Sequence, residues 1–537
     1  MLERVHPWIW AAALCALFTG LGLVFLPYPG AQYDEVLFSS AIYAPDTIEY
    51  AMKTRFGLIP VMLISYVGTL KAAIYTPLLA WFSAGYLTLR LPVLLIAAFS
   101  VGLFFLAARR LAGTRAAVAA GLLLATDAVY LLTSVFDWGP VAAQHLLFAA
   151  ALYAGVRFRE TPRARWLFLL AVCAGLALWD KAIIVWLLAG FGASALLVLR
   201  REVVMVARSP RLAAAAVLGF MLGAAPFLYY NKIHPLRTFT SSVEMDRQPA
   251  LQKIVALDRT LDGSGLFGYL VREDPEGFPQ GLKTWEKAPL WLNGKLRGPR
   301  RSIQHLVLLG AFLGLALLWF GEWRRTGLFL ALAALVGWLL MLATRNAGGA
   351  LHHTILLWPI PQMLLALTLA ELLRRWPGRV GKAAMGVVLL AALNNGLQLN
   401  HYLAHFIACG PTWFWTDAIR PLAQEAGRME GRRFFAADWG ISQQLEYYSK
   451  GRIALHRAGD GILLTLEEDP ASAPYLERAL ADENTLFLTH TEGREAFANV
   501  RARLLAFAAG QGYRHTLLKT IHDRHGAPLF EIHEFRR

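Results

Sequence analysis

Two adjacent carboxylates, Asp34 and Glu35, stand just after the first apolar run of the chain. Carboxylates at a membrane surface can act as a general base, or can bind a cation or a hydroxyl group. A solvated loop could carry the same pair without any chemical role, and the dipeptide alone favours that simpler interpretation. The pair gains significance only if other reactive side chains reach the same boundary.

A third acid, Asp137, begins the four-residue link Asp137-Trp138-Gly139-Pro140 between two apolar runs. A charge at the membrane boundary is costly unless it is paired or used. Asp137 could equally cap the helix that Pro140 opens, which is a common arrangement at helix starts. One carboxylate can serve both purposes, so the sequence leaves both open.

Basic side chains occur at the same boundary. Lys71 lies in an apolar stretch that follows Gly68, where its ammonium group could snorkel to lipid headgroups or hold a phosphate. The same choice arises for Arg90, for which a membrane anchor is the favoured interpretation. Asp180 and Lys181 are adjacent opposite charges at the end of another apolar run, and the two can simply pair with each other.

Late in the chain, Arg345 and the pair His352-His353 bracket a short link between apolar runs. Two adjacent histidines do not share one face of a helix, so a two-histidine metal site is poorly supported. A single histidine such as His353 could still bind phosphate or a metal. Asp438 follows a predicted strand near the C-terminus, where a turn with a capping Asp is favoured over a chemical role.

The elements that must position these side chains are membrane-spanning helices. Of 537 residues, 56% are apolar and only 17% are charged, whereas about 25% are charged in a typical soluble domain. Long apolar runs alternate with short Arg-rich links, which indicates repeated membrane crossings. We predict eleven spans, at 8–27, 91–108, 116–132, 140–156, 166–179, 182–199, 212–230, 303–320, 327–343, 352–370 and 383–400.

The basic links decide the predicted orientation. Arginines fill alternate links, whereas the short links on the other side carry only Lys181 and Arg345. The positive-inside rule then places the N-terminus in the cytoplasm, and an odd number of spans places the C-terminal region outside. Most of the net charge of +15 lies in these links, so we expect no nucleic-acid partner.

Two of the predicted outer segments are long. In residues 28–90, an apolar stretch at 56–86 is interpreted as helices lying in the outer interface. Residues 231–302 form the second outer loop. We predict a polytopic α-helical membrane domain over residues 1–400 and a small soluble α/β domain over residues 401–537. The predicted elements of the α/β domain are helices at 412–430, 441–449 and 496–509 and strands at 433–437, 485–489, 515–522 and 528–535.

The distribution of polar residues bears on the class of function. Acids and bases collect at the outer ends of several predicted spans, and the interiors of the spans carry almost none. A transporter more often has its polar residues at mid-membrane. The pattern therefore favours chemistry at the membrane surface on a lipid-borne substrate.

The layout resembles the C superfamily of glycosyltransferases, and within it the protein O-mannosyltransferase and lipid A aminoarabinose transferase group. The resemblance rests on Asp34-Glu35 after the first span, on Lys71 in the stretch 68–77, and on Asp137 between the third and fourth spans. Arg90-Leu91-Pro92 and the segment 353–361 also fit. A soluble domain after the last span occurs in these families too.

The resemblance implies a transferase of the bacterial inner membrane that takes its sugar from a polyprenyl phosphate and inverts the anomeric centre. Asp34 would be the base that deprotonates the acceptor hydroxyl, and Glu35 and Asp137 would orient the acceptor or a divalent cation. The groups that would bind the donor phosphate are Lys71, Arg345 and His353. The acceptor would be a lipid, a protein or a glycan. The resemblance does not decide whether a divalent cation is required as a cofactor.

The chain departs from the family pattern at two points. The aminoarabinose transferases have an acid directly before the lysine, where this chain has Leu70, and the trefoil-type insertion of the mannosyltransferases is missing from residues 231–302. Two alternatives therefore stay open beside the transferase. A transporter or lipid flippase would move a substrate without transferring sugar, and an assembly protein would bind a partner through its C-terminal domain without catalysis.

Overall fold

The computed structural model describes residues 5–242, 250–277, 279–345, 347–456, 462–464, 466 and 472–537. It contains a helical domain followed by a C-terminal β-sheet domain, which confirms the predicted fold class. The main helices before residue 409 are Pro7–Leu23, Tyr33–Val36, Ser40–Tyr43, Leu70–Trp81, Tyr86–Thr126, Ala128–Phe136, Val141–Glu160, Ala164–Asp180, Val185–Val198, Arg200–Arg208, Pro210–Ile233, Arg237–Ser242, Ala250–Leu261, Lys287–Leu296, Gln304–Leu313, Leu315–Leu318, Arg324–Ala343, Leu351–Thr354, Ile360–Arg375 and Arg379–Ala408.

Fewer helices can cross a membrane than the eleven we predicted. Within the described ranges, six helices are long and apolar enough, or seven if the bent pair Ala182–Val198 and Arg200–Arg208 forms one span. Pro7–Leu23 and Gln304–Leu318 are apolar but shorter. The predicted number was too high because an apolar run does not show where its helix breaks.

Two of the predicted spans illustrate such a break. The runs 91–108 and 116–132 begin on two helices that meet at a kink at Gly113, with a φ of +79°, within the segment Tyr86–Thr126. That segment ends at Asp127, whose side chain accepts a hydrogen bond from the Tyr130 amide at 2.9 Å and so starts a new helix. A polar N-cap inside an apolar run is enough to end one helix and begin the next.

Residues 50–68 form a small sheet rather than the interfacial helices we predicted for the stretch beginning at residue 56. The antiparallel strands Tyr50–Thr54, Gly57–Ile64 and Val67–Gly68 lie side by side, and the helix begins only at Leu70. Gly57, with a φ of +112°, makes the tight turn between the first two strands. Pro60 is tolerated in the middle strand because the register shifts beside it, between Tyr50 and Ala51.

The C-terminal domain contains a five-stranded sheet. Its strands lie in the order Ala454–Leu455, Arg433–Ala436, Thr485–His490, Pro528–Arg536 and Arg514–His522, with the first three parallel and the last two antiparallel to their neighbours. Helices Ile419–Arg428, Ser442–Ser449, Ser472–Ala481 and Val500–Gly510 complete the domain. Two apolar clusters form its core, one on each side of the sheet strands, as expected when alternate strand side chains point to opposite faces.

The predicted strands and hairpin of this domain agree with the structure, but two elements were missed. They are the two-residue edge strand Ala454–Leu455 and the helix Ser472–Ala481. The predicted helix at 412–430 is shorter, because a 3₁₀ turn at Trp413–Trp415 precedes the helix Ile419–Arg428.

The segment 231–302, predicted as a loop, contains helices and joins the two domains. Buried Glu286 accepts two hydrogen bonds from Arg524 of the C-terminal domain, at 2.8 and 2.7 Å. A second buried pair connects Arg272 with Asp523 at 2.7 Å. These contacts hold the C-terminal domain against the end of the helical domain that carries Asp34.

Candidate active site

One cavity of the helical domain is lined by residues from five separate segments of the chain. It is lined by Asp34, Leu37, Phe38, Leu63, Ile64, Tyr66, Val67, Gly68, Lys71, Trp138, Gly139, Pro140, Lys181, His352 and His353. Several of these residues lie where one helix ends and the next begins. Three of the sequence-predicted site residues, Asp34, Lys71 and His353, therefore share one space.

Asp34 is positioned by the capping of its own short helix. The Gln32 side chain accepts hydrogen bonds from the amides of Asp34 at 2.7 Å and Glu35 at 3.2 Å, which starts the helix Tyr33–Val36. The carboxylate of Asp34 opens into the cavity. The side chain is exposed toward the cavity, and desolvation by the surrounding protein raises the pKa of Asp34 above its ordinary value. A higher pKa makes the carboxylate a stronger base.

Glu35 is buried in an ion pair and does not line the cavity. Its two carboxylate oxygens accept hydrogen bonds from Arg90 Nε at 2.7 Å and Nη2 at 2.9 Å. The fully buried Arg90 guanidinium also donates to the backbone carbonyls of Leu26, Tyr28, Pro29 and Gly30. Arg90 is therefore an internal clamp on the segment before Asp34, and not the membrane anchor favoured from the sequence.

Asp137 combines the two roles that the sequence left open. Its Oδ1 accepts a hydrogen bond from the Ala142 amide at 2.8 Å, which caps the helix Val141–Glu160. Its Oδ2 lies 2.8 Å from Lys71 Nζ. Lys71 Nζ also donates to the carbonyls of Glu35 at 3.0 Å and Asp137 at 3.1 Å. The three ammonium hydrogens of Lys71 are thus directed at protein oxygens.

Lys181 is the second cation of the cavity. It does not pair with Asp180, since Lys181 Nζ donates to the Gly139 carbonyl at 2.9 Å and Asp180 accepts from Gln144 at 3.0 Å. The second contact of Lys181, with the His352 carbonyl at 3.5 Å, is long. Lys181 therefore keeps more donor capacity toward the cavity than Lys71 does.

The two histidines lie on the same cavity but differ in their partners. Trp138 Nε1 donates to Nδ1 of His352 at 3.0 Å, which leaves Nε2 of a neutral ring as the N–H donor. Nδ1 of His353 is buried, with no hydrogen-bond partner among the described residues. Both rings can offer a donor to an anionic group in the cavity.

Arg345 is placed differently from the prediction. Its side chain is exposed and is not among the residues that line the cavity. The structure thus brings Asp34, Lys71, Asp137 and His353 together but leaves Arg345 outside this group.

The side chains around the cavity do not suit a preformed metal centre. Glu35 and Asp137 were the acids expected to orient a divalent cation, but their oxygens are bound to Arg90, Lys71 and a helix N-terminus. Throughout the ranges that the structure describes, no group of three or more His, Cys, Asp or Glu side chains is arranged to hold a metal ion.

Three further residues line the cavity although they were not predicted as site residues. They are Lys181, His352 and Trp138. The sequence signal for Lys181 was its position just outside an apolar run, at the same boundary as Asp137. Lys181 was instead explained as the partner of Asp180. Asp438 lies in a turn, as expected, but it does not cap the helix that follows, because Ser442–Ser449 has Ile441 at its N-cap and no side-chain capping bond. Its carboxylate accepts from the amides of Trp439 at 2.9 Å and Ala496 at 2.8 Å, and it binds His490.

Comparison with known proteins gives a family match over part of the chain. Residues 61–230 match the family model described as dolichyl-phosphate-mannose-protein mannosyltransferase. No curated protein sequence matches the chain significantly. The matched segment contains Lys71, Asp137 and Lys181.

Two solved structures are similar to the chain. The archaeal oligosaccharyltransferase AglB from Archaeoglobus fulgidus, in complex with an inhibitory peptide and a dolichol-phosphate, is 14% identical, with a TM-score of 0.49 over 93% of this chain and 72% of that one. The Archaeoglobus fulgidus oligosaccharyltransferase tethered to an acceptor peptide with the NVT sequon is also 14% identical, with a TM-score of 0.48 over 90% of this chain and 69% of that one.

The match over residues 61–230 confirms the predicted resemblance in the segment that contains Lys71 and Asp137. The chain is a multi-pass membrane protein, and this segment is similar to glycosyltransferases of the C superfamily.

Proposed function

We propose that this chain is an inverting glycosyltransferase that moves a sugar from a polyprenyl-phosphate donor to an acceptor hydroxyl. The observation that carries the proposal is one cavity in which the Asp34 carboxylate stands open beside Lys181 and two histidines. A base and a set of cationic or N–H donors are what such a transfer requires. The proposed location is the extracytoplasmic face of a bacterial inner membrane, with the N-terminus in the cytoplasm.

In the proposed reaction the acceptor oxygen attacks the anomeric carbon from the side opposite the phosphate. A new carbon–oxygen bond forms while the bond between that carbon and the phosphate oxygen breaks, so the configuration inverts. The acceptor proton passes to Asp34, and the bonding electrons leave with the polyprenyl phosphate. Desolvation of Asp34 supports this role, because it makes the carboxylate a better proton acceptor near neutral pH.

The leaving phosphate gains negative charge as the bond breaks, so fixed positive charge beside it lowers the barrier. We assign the direct contact to Lys181, whose long second hydrogen bond leaves donor capacity, and a supporting contact to His353. Lys71 would act chiefly by holding Asp137 and the backbone of Glu35, and by its charge.

Sugar transfer in isolated membranes tests the proposal directly. Membranes with and without the chain would receive radiolabelled polyprenyl-phosphate sugars, and label would be counted in lipid, protein and glycan fractions. We expect chain-dependent label in one fraction, which identifies the acceptor class, and release of one polyprenyl phosphate per sugar. Equal label in both membranes would contradict the proposal. Donor movement across the membrane without transfer would favour a flippase instead.

The pH dependence of transfer should report on Asp34. Only the ionised carboxylate accepts a proton, so kcat/KM falls as the pH drops through the pKa of Asp34. Because that pKa is raised, the fall begins at a higher pH than expected for an ordinary Asp, near 3.9. The positive charge of Lys181 lowers the pKa of Asp34, so Lys181→Met should move the acid limb of the profile to higher pH. An acid limb that stays in place would show that another group titrates.

A further inference from the structure

A second and larger cavity lies between the C-terminal domain and the start of the membrane-spanning helix Tyr86–Thr126. It encloses about 1120 Å³ and shares no lining residue with the Asp34 cavity. Gly85 and Tyr86 line this cavity on the side of the helical domain. Five arginines of the C-terminal domain also line it, and we call it the arginine cleft: Arg420, Arg428, Arg432, Arg433 and Arg452.

The positive charge of the arginine cleft is only partly compensated. Two acids, Glu430 and Asp482, line it beside the five arginines. Three of the arginines have carboxylate partners: Arg428 lies 3.6 Å from Glu425, Arg432 lies 3.2 Å from Glu534, and Arg433 lies 3.8 Å from Asp482. Arg452 donates to the Ser449 carbonyl at 3.0 Å, and among the described residues no carboxylate lies within 4 Å of it. The excess of positive charge available to an anionic ligand therefore comes chiefly from Arg420 and Arg452, which bind backbone carbonyls.

Arg420 contacts the helical domain directly. Its Nη2 donates to the carbonyls of Pro27 at 3.1 Å and Pro29 at 3.0 Å, and the guanidinium lies over the ring of Tyr86 at 5.1 Å. Its Nε is buried without a hydrogen-bond partner among the described residues. These contacts fix the guanidinium in place while its charge remains unmatched by a carboxylate.

The mouth of the arginine cleft adjoins exposed apolar side chains. Trp81 is 86% exposed, Phe82 is 59% exposed and Leu87 is 53% exposed, directly beside the lining residues 84–86. Large aromatic residues next to the start of a spanning helix are typical of the membrane interface. The C-terminal domain is held against this segment, because Lys450 donates to the Phe82 carbonyl at 3.0 Å. We therefore expect the cleft to lie at the level of lipid headgroups.

We propose that the arginine cleft binds the phosphate-bearing headgroup of an anionic membrane lipid, whose acyl chains lie along the apolar surface of Trp81, Phe82 and Leu87. Guanidinium groups bind phosphate through paired, charge-assisted hydrogen bonds. The apolar surface distinguishes a lipid from free phosphate, since free phosphate would gain nothing from it. This site is separate from the cavity proposed for sugar transfer and does not depend on that function.

Native mass spectrometry of the full-length chain in detergent tests this site. The chain would be titrated with phosphatidylglycerol, phosphatidylcholine or inorganic phosphate. The cleft variant is Arg428→Ser with Arg452→Ser, and the matched control is Arg478→Ser with Arg514→Ser. Both variants remove two exposed arginines from the C-terminal domain, but only the first pair lines the cleft.

We expect the wild type and the control to bind phosphatidylglycerol more tightly than phosphatidylcholine. The cleft variant should lose about tenfold or more of its affinity for phosphatidylglycerol, because each lost charged hydrogen bond weakens binding by roughly that factor. Three results would each overturn the proposal. They are equal binding of the two lipids, an equal loss in the control variant, and inorganic phosphate that binds as tightly as the lipid.

Discussion

Asp34→Asn should lower sugar transfer by about 10²–10⁴-fold, the usual contribution of a placed general base. Asparagine keeps the size of the side chain and can still accept from Gln32, but it cannot take the acceptor proton. The loss should appear in kcat rather than in the affinity for the donor, because Asp34 acts on the acceptor hydroxyl. Transfer from labelled donor, measured under saturating donor, gives this number.

The matched control for this variant is Asp46→Asn. Asp46 lies on the same segment between the first two long helices but does not line the cavity. We expect its transfer rate to stay within a factor of two or so of the wild type, as for most surface substitutions. Equal rates for Asp34→Asn and the wild type would remove Asp34 from the mechanism while leaving the family match at residues 61–230 unaffected.

Arg90→Met should destabilise the fold by about 3–5 kcal/mol, which is the cost of leaving one charge of a buried pair without its partner. Arg90 and Glu35 side chains are 0% and 1% exposed, so water cannot replace the lost hydrogen bonds. Four backbone carbonyls before Asp34 would also lose their donor. Denaturant unfolding in detergent, followed by tryptophan fluorescence, measures the difference.

A partly exposed ion pair provides the comparison. Arg110 and Glu160 lie 2.6 Å apart, with side chains 30% and 36% exposed. Arg110→Met should cost about 0–1 kcal/mol, because water solvates the remaining carboxylate. If Arg90→Met cost no more than Arg110→Met, the clamp that we assign to Arg90 would be wrong. Combining Arg90→Met with Glu35→Gln should recover part of the loss, since no buried charge then remains unpaired.

The site residues could be predicted from short stretches of sequence, whereas the helix breaks and one small sheet could not. Asp34, Lys71 and His353 were predicted as site residues from the family resemblance and from their place in or beside apolar runs, and all three line the cavity. Span number was overestimated because Asp127 stops a helix within an apolar run. The strands at 50–68 were missed because an apolar stretch with Pro60 and Gly57 does not distinguish an interfacial helix from a twisted sheet.

The sequence by itself determined the membrane class, the superfamily resemblance and the boundary at which the reactive side chains lie. These depend on hydropathy and on residue type along short stretches, which are local properties. Only the tertiary structure decided which charges are paired and which face the cavity. Glu35 meets Arg90 and Lys71 meets Asp137 through helices that are far apart in the chain. Packing sets such contacts, and a buried charge must find whichever partner the packed helices bring to it.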